Sequence, residues 1–329
     1  MDPVTVYIVR RIINYLILTA VASSLAYVLA SVGLNPVWQF ENRHPRPPQS
    51  SIDQLLDAWG VNPSVPLIER TWTWFVNLFH GDLGLTVGNQ PVIQQIAVRA
   101  GVSLQLLLVG SILGAIVGVI LGVWGAVRQY KLSDQAVTVI SYIIFATPTF
   151  VMGILLMILA TNFNNLLGVQ VITFSGQYSA NAAPDLWSQV WDRISHALLP
   201  TLVLILLGAA SYSRYQRNAM LDVLGADYIR TARSKGRTRG AALVRHGVRI
   251  ALIPMSTFFA YSFGTLVAGS AMLEIVFSWH GMGEMTIQSV QQNDINSLAG
   301  STLFVAILIL CSSTLSEILY AALDPRVRR

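Results

Sequence analysis

The stretch GVSLQLLLVGSILGAIVGVILGVWGAV, residues 101–127, decides the fold class, because it runs for 27 residues without a charged side chain. A hydrocarbon core about 30 Å thick needs about 20 apolar residues of α-helix. The stretch is therefore long enough to cross a bilayer as one helix. Glycines recur on one face of this helix, and such a face lets another helix pack closely against it. The contact is either one that slides between subunits or bundles, or plain packing inside the membrane. Four glycines recur at every fourth position on that face: Gly110, Gly114, Gly118 and Gly122.

The whole chain shares this character, since 53% of its 329 residues are hydrophobic and only 11% are charged. A soluble domain has about 25% charged residues. We therefore predict an all-α membrane protein with six transmembrane helices. The predicted spans are Val6–Leu34, Gly101–Val127, Gln135–Thr161, Ala197–Ser213, Ile250–Phe277 and Ser297–Leu323.

The distribution of basic residues predicts the orientation of the bundle. Lysine and arginine are concentrated in cytoplasmic segments of membrane proteins. With both termini cytoplasmic, the inner segments hold 16 of the 21 basic residues, nine of them between Arg214 and Arg249. We expect residues 1–34 to form the first span and residues 35–100 an extracytoplasmic cap. We expect residues 101–329 to form a core of five transmembrane helices with a cytoplasmic loop at 214–249.

Two short amphipathic helices are predicted within the cap, at Ile52–Trp59 and Pro66–Phe79. A proline in the first turn favours the start of the second helix. The polar, proline-rich stretch Glu41–Ser51 precedes them and is expected to be mobile.

Sequence motifs for catalysis are missing, so the chain is not predicted to be an enzyme. A phosphate-binding Walker A loop needs a lysine directly after a glycine. The two lysines, Lys131 and Lys235, do not follow a glycine. The five histidines are spread over both predicted sides of the membrane and predict no metal site. We expect no cofactor on this chain, and we interpret the intramembrane carboxylates Glu274 and Glu317 as structural rather than as a proton relay.

The loop RYQRNAMLDVLGADYIRTARSKGRTRGAALVRHGVRIALIPMS, residues 214–256, is too long and too patterned for a simple connector. Asp227 is a suitable N-cap for a short helix, Tyr228–Lys235, which ends at Gly236. Its apolar ridge of Tyr228, Ile229 and Ala232 fits a groove on another protein. A basic loop lying on anionic lipid headgroups is the alternative that the residues alone leave open.

This loop resembles the EAA loop of binding-protein-dependent ABC importers. Residues 227–236, DYIRTARSKG, and 243–256, LVRHGVRIALIPMS, are similar to the form found in oligopeptide and dipeptide permeases of the B type. Collinear matches extend over nearly the whole chain. They are GDLGLTVGNQPV at 81–92, ATPTF at 146–150, LEIVFSWHGMG at 273–283 and YAALDPRVRR at 320–329. Departures include His280 and Met282, where that family has proline and leucine, and the insert Glu41–Ser51.

The resemblance implies the type I ABC importer (MetI-like) permease fold in a bacterial plasma membrane. It implies a homologous second permease, two ATPase domains that bind ATP and Mg²⁺, an extracytoplasmic binding lipoprotein and a peptide substrate, but no nucleic acid. An ion-coupled secondary carrier or a channel is the alternative function, and an intramembrane enzyme is a third.

The resemblance also implies roles for individual residues. The ATPase-coupling residues are Asp227, Tyr228, Ile229, Arg230, Thr231, Ala232, Arg233, Lys235 and Gly236. Arg214 and Arg217 are candidates for an inner gate. Glu274, Phe277, Gly281 and Gly283 are candidates for an outer gate.

Overall fold

The structure is a computed structural model that describes residues 3–41, 44–180, 185–236, 238–243 and 247–323. Within these ranges the side chains of 3–9, 232, 233, 239, 260–269 and 321–323 are not described. The predicted all-α class is confirmed, since the regular elements of the described ranges are helices. They are α1 (Pro3–Gly33), α2 (Trp38–Glu41), α3 (Gln49–Trp59), α4 (Leu67–Leu78), α5 (Val92–Val127), α6 (Leu132–Ala146), α7 (Thr149–Leu167), α8 (Leu186–Leu224), α9 (Asp227–Ser234), α10 (Arg239–Ala242), α11 (Val248–Ala251), α12 (Ile253–Val276), α13 (Met282–Gln291) and α14 (Ile295–Leu323).

Five helices of the described chain are long and apolar enough to cross a membrane: α1, α5, α7, α8 and α14. The predicted fifth span corresponds to α12, a helix of 24 residues. α8 has 39 residues. At a rise of 1.5 Å per residue it is about 58 Å long, nearly twice the hydrocarbon thickness. The predicted span Ala197–Ser213 is therefore only its middle part.

The third predicted span, Gln135–Thr161, is wrong as a single helix. The structure has α6 and α7 in its place, separated at Thr147 and Pro148. Thr147 is extended, with φ −85° and ψ 125°. A proline disfavours helical backbone at the residue before it, and its ring cannot sit inside a continuous helix without breaking a hydrogen bond. Pro148 instead serves as the N-cap of α7.

The chain divides into two compact units, and the first comprises Met1–Ser103 and His280–Leu310. Both predicted cap helices are confirmed here as α3 and α4, and the polar stretch before them is partly helical, since α3 begins at Gln49. The Tyr27 and Trp74 rings stack with centroids 5.0 Å apart, and the Phe40 and Trp59 rings with centroids 5.9 Å apart. These buried aromatic side chains form the centre of a continuous apolar core.

Polar contacts fix the loop at residues 81–92 to the beginning of α14 in this unit. The Asn296 Nδ2 group donates to the Trp59 carbonyl at 2.7 Å and to the Leu85 carbonyl at 3.0 Å. The Asp294 carboxylate accepts from the Val87 N–H at 3.0 Å and from the Ser297 hydroxyl at 2.8 Å. Burial raises the pKa of the Asp294 carboxyl, and these hydrogen bonds act in the opposite direction. The loop is therefore positioned by buried polar groups.

The second unit comprises Leu104–Trp279 and Cys311–Arg329. The glycine face of α5 packs on α8 in this unit. A Cβ atom at Gly114 would lie 3.2 Å from the Gly208 Cα atom, and one at Gly118 would lie 2.5 Å from the Tyr212 Cβ atom. The two backbones approach closely because neither of these glycines has a side chain. The glycine face is thus a packing contact within the chain.

Candidate coupling site

The helix α9, Asp227–Ser234, begins at Asp227 itself, so the predicted N-cap is the first helical residue. The Thr231 hydroxyl donates to the Asp227 carbonyl at 3.0 Å. Gly236 has φ +83°, the left-handed backbone that glycine adopts without steric cost at a helix end. Asp227, Arg230, Thr231 and Lys235 are exposed. The predicted short, charged, exposed helix is confirmed.

The predicted apolar ridge of α9 is wrong for Ile229. Its side chain is only 4% exposed, whereas that of Tyr228 is 39% exposed. Partial burial raises the pKa of the Tyr228 phenol above its ordinary value. Ala232 lies one turn beyond Tyr228 on the helix, but its side chain and that of Arg233 lie outside the described residues.

Ile229 instead belongs to a small buried cluster, which we call the anchor cluster. Its members come from four helices and from Leu243, which directly follows α10, and α8 supplies two of them: Ala126, Met220, Val223, Ile229, Leu243 and Ala251. The close approach of Gly247 completes the packing, since a Cβ atom there would lie 3.0 Å from the Val223 side chain. A second short helix, α10, Arg239–Ala242, follows Gly236. α9 is thus fixed to the end of α8 through one large apolar side chain.

One helical turn before Met220, the α8 residue Arg217 makes a bidentate ion pair with Asp134 of α6. The Arg217 Nε and Nη2 atoms each lie 2.7 Å from a different Asp134 oxygen. The Asp134 side chain is 3% exposed and the Arg217 side chain 22%. A Cβ atom at Gly125 would lie 3.0 Å from the Asp134 Oδ1 atom, so glycine leaves room for the pair. This geometry links α6 firmly to α8.

The other gate candidate on α8, Arg214, has a different environment. Its guanidinium carbon lies 4.3 Å from the centroid of the Phe145 ring and 5.1 Å from that of Tyr142. Its buried Nε atom has no hydrogen-bond partner among the described residues. Arg214 and Arg217 therefore both contact α6, one through aromatic rings and the other through a carboxylate.

The predicted outer-gate residues are divided between the two compact units. Glu274 and Phe277 are buried at the end of α12, where the Phe277 carbonyl accepts from the Gly176 N–H at 2.8 Å. A Cβ atom at Gly153 would lie 3.0 Å from the Phe277 ring, so the glycine leaves room for this ring. Gly281 and Gly283 belong to the other compact unit, at the start of α13.

The Asp134–Arg217 ion pair and the helix break at Pro148 were not predicted from the sequence. The proline was visible in the ATPTF motif and is a known helix breaker. For Asp134 the signal was an acidic residue at the edge of an apolar segment, which calls for a cationic partner. In the described part of the chain no three His, Cys, Asp or Glu side chains are placed to hold a metal ion.

Comparison with known proteins agrees with this architecture. The family model described as "binding-protein-dependent transport system inner membrane component" matches residues 110–329. This match covers the helices that carry the anchor cluster and the ion pair.

Relatives match over most of the chain. It is 46% identical to the oligopeptide transport system permease protein OppB of Mycobacterium tuberculosis over 324 residues, 98% of this chain and 99% of the relative. It is 34% identical to the oligopeptide transport system permease protein AppB of Bacillus subtilis, over 86% of this chain and 87% of the relative. It is 31% identical to the dipeptide transport system permease protein DppB of Escherichia coli K12, with 84% of each chain covered. The chain therefore belongs to the family of inner membrane permease components of binding-protein-dependent transport systems.

Proposed function

We propose that this chain is a translocation subunit of an ATP-driven importer for oligopeptides or dipeptides, and that separate ATPase subunits act on it through α9. The proposal rests on the structure of α9, which has an exposed charged side and one buried apolar side chain. It presents charged, exposed residues, and Ile229 fixes it to the buried anchor cluster at the end of α8. Family membership and the names of the related peptide permeases support peptides as the substrate class.

Docking uses the exposed part of α9. Arg230, Lys235 and the half-buried Tyr228 are available to an acidic, partly apolar groove. The Arg230–Asp227 contact of 3.9 Å is exposed, so it contributes little to folding and leaves both groups free to exchange partners. These residues form the docking surface.

Force passes from that surface to the bundle through packed side chains. A displacement of α9 moves Ile229, which contacts the anchor cluster with Met220 and Val223 of α8. The Asp134–Arg217 ion pair then connects α8 to α6. Because packed interiors resist compression, a rigid α9 transmits its movement instead of absorbing it.

The complete importer contains a homologous second permease, two ATPase domains and an extracytoplasmic binding protein. Both termini and α9 then face the cytoplasm, as the distribution of basic residues favours. ATP and Mg²⁺ are bound by the ATPase subunits. Arg214 and Arg217 lie close to the inner side in this arrangement, and Glu274 and Phe277 close to the outer side.

The test is uptake of a labelled peptide by proteoliposomes that contain the whole importer, with ATP hydrolysis measured in parallel. We expect uptake to require ATP and the binding protein. Ala232→Asp and Gly236→Pro should abolish uptake while the chain remains in the complex, because the first places a charge on the docking helix and the second cannot adopt φ +83°. Thr238→Asp, an exposed site outside α9, is the control with the same added charge.

Normal uptake by both variants would contradict docking through α9. Uptake driven by an ion gradient in the absence of ATP would instead support a secondary carrier.

A further inference from the structure

A second feature of the chain has no part in the proposed coupling: a cavity of about 540 Å³ between α5 and α8 in the second unit. Its volume is within the range of small-molecule sites in proteins. The α8 residues along it run from Arg193 to Ile205. Twelve residues of α-helix span about 18 Å. One leaflet of hydrocarbon is about 15 Å thick, half of the bilayer core. The cavity therefore has the length of an acyl chain in one leaflet.

The lining changes from polar to apolar along this length. Gln105, Gln177 and Arg193 line one end. Leu113 and Ile205 line the other end of the cavity. Leu113 lies eight residues after Gln105 on α5. A molecule with a polar head and an apolar tail matches this gradient in one orientation.

The apolar walls open to the surroundings of the chain. Val109 is 49% exposed and Leu198 is 51% exposed, although both line the cavity. In a chain of this membrane family, such side chains face lipid tails unless another subunit covers them. An acyl chain can therefore enter from the bilayer without passing through water.

Two polar groups at the cavity can donate to acceptors that a phospholipid headgroup supplies. No carboxylate in the described part of the chain lies within salt-bridge distance of the Arg193 guanidinium, which stacks over the Tyr178 ring at 5.7 Å. The neighbouring Asp192 carboxylate is held by the Ser179 N–H and hydroxyl, each at 2.7 Å. Trp279 is 3% exposed, and its buried indole N–H has no hydrogen-bond partner among the described residues. Phosphate and ester oxygens are acceptors for both groups.

We infer that this cavity is a binding site for one phospholipid, with the acyl chain between α5 and α8 and the phosphodiester at Arg193. The bound lipid completes the packing between α5 and α8, and it provides the acceptor that the Trp279 indole needs. The inference does not depend on the orientation of the chain or on peptide transport.

The experiment is native mass spectrometry of the whole importer, extracted from vesicles of phosphatidylglycerol and phosphatidylethanolamine into detergent that removes loosely associated lipid. We expect the wild-type complex to retain one phospholipid more than the Ala197→Phe complex, because the phenyl group fills the cavity. Arg193→Gln should weaken retention about tenfold, through the loss of a charge-assisted hydrogen bond. Ile112→Phe is the matched control, since Ile112 is 47% exposed on α5 but does not line the cavity.

Equal lipid retention by wild type, Ala197→Phe and Arg193→Gln would overturn the inference. So would displacement of the retained lipid by a transported peptide, which would make the cavity a substrate site. Basal ATP hydrolysis of each complex shows that the variants are assembled. Absence of ATP-dependent peptide uptake by the wild-type importer, with the lipid still retained, would contradict the proposed function without affecting the lipid site.

Discussion

The first compact unit, which holds α3 and α4, and the region around α9 in the second unit are stabilised very differently. The core of the first unit joins sixteen buried apolar residues of the described chain, among them Tyr27, Trp59 and Trp74. The anchor cluster joins six, and Ile229 is the single contribution from α9. The first unit therefore has an extensive apolar core, whereas α9 is held by a few contacts. We interpret the first as a fixed platform and the second as a movable contact.

The largest expected effect is on the cap. Trp59→Ala should destabilise the chain by about 3–5 kcal/mol, because a buried aromatic ring leaves a cavity that the core cannot refill. Thermal unfolding of the purified complex in detergent measures this. Trp72→Ala is the control, since Trp72 is 66% exposed. Similar losses for both variants would contradict the assignment of the cap as a packed platform.

Breaking the link between α6 and α8 should have the next largest effect. Asp134→Asn removes the charge that Arg217 needs, which costs about 2–3 kcal/mol in a pair that is largely but not fully buried. We expect lower thermal stability and fewer peptides imported per ATP hydrolysed. Asp227→Asn, which affects only an exposed pair, should leave thermal stability unchanged. Normal stability of Asp134→Asn would show that the pair is not structural.

A smaller and more local effect is expected in the anchor cluster. Ile229→Ala should cost about 2 kcal/mol, at the low end for such truncations because the cluster is small. Import per ATP should fall, since α9 then moves without moving α8. Ile229→Val removes one methylene and should give an intermediate value. The ratio of uptake to hydrolysis measures both variants, and an unchanged ratio in Ile229→Ala would exclude transmission through this side chain.

The smallest effect on folding is expected at the docking surface. Arg230→Ala should change stability by less than about 0.5 kcal/mol, because its ion pair is exposed. It should nevertheless weaken association with the ATPase subunits and make it less sensitive to salt. Titration of ATPase subunits onto the permease at two salt concentrations measures this. A large loss of stability would show that Arg230 belongs to the fold and not to the docking surface.

The sequence was sufficient for features with strong local patterns. Uninterrupted apolar stretches gave the membrane helices, and Gly236 gave the end of α9, because hydropathy and glycine backbone preferences act locally. Two features were not accessible in this way. The burial of Ile229 depends on α8 and α10 folding against it, and the partner of Asp134 lies 83 residues away. The proline itself indicates the helix break at Pro148, but the hydropathy of the segment stays apolar on both sides of it.

The most direct test of the central claim is cross-linking from α9 to the ATPase subunits. In a Cys311→Ser background, Lys235→Cys would be treated with a short thiol–amine cross-linker in the assembled importer, with Gln49→Cys in α3 as the control. We expect a permease–ATPase adduct from the first variant and none from the second. Equal labelling of both positions, or no adduct from Lys235→Cys in an importer that still transports peptide, would contradict docking through α9.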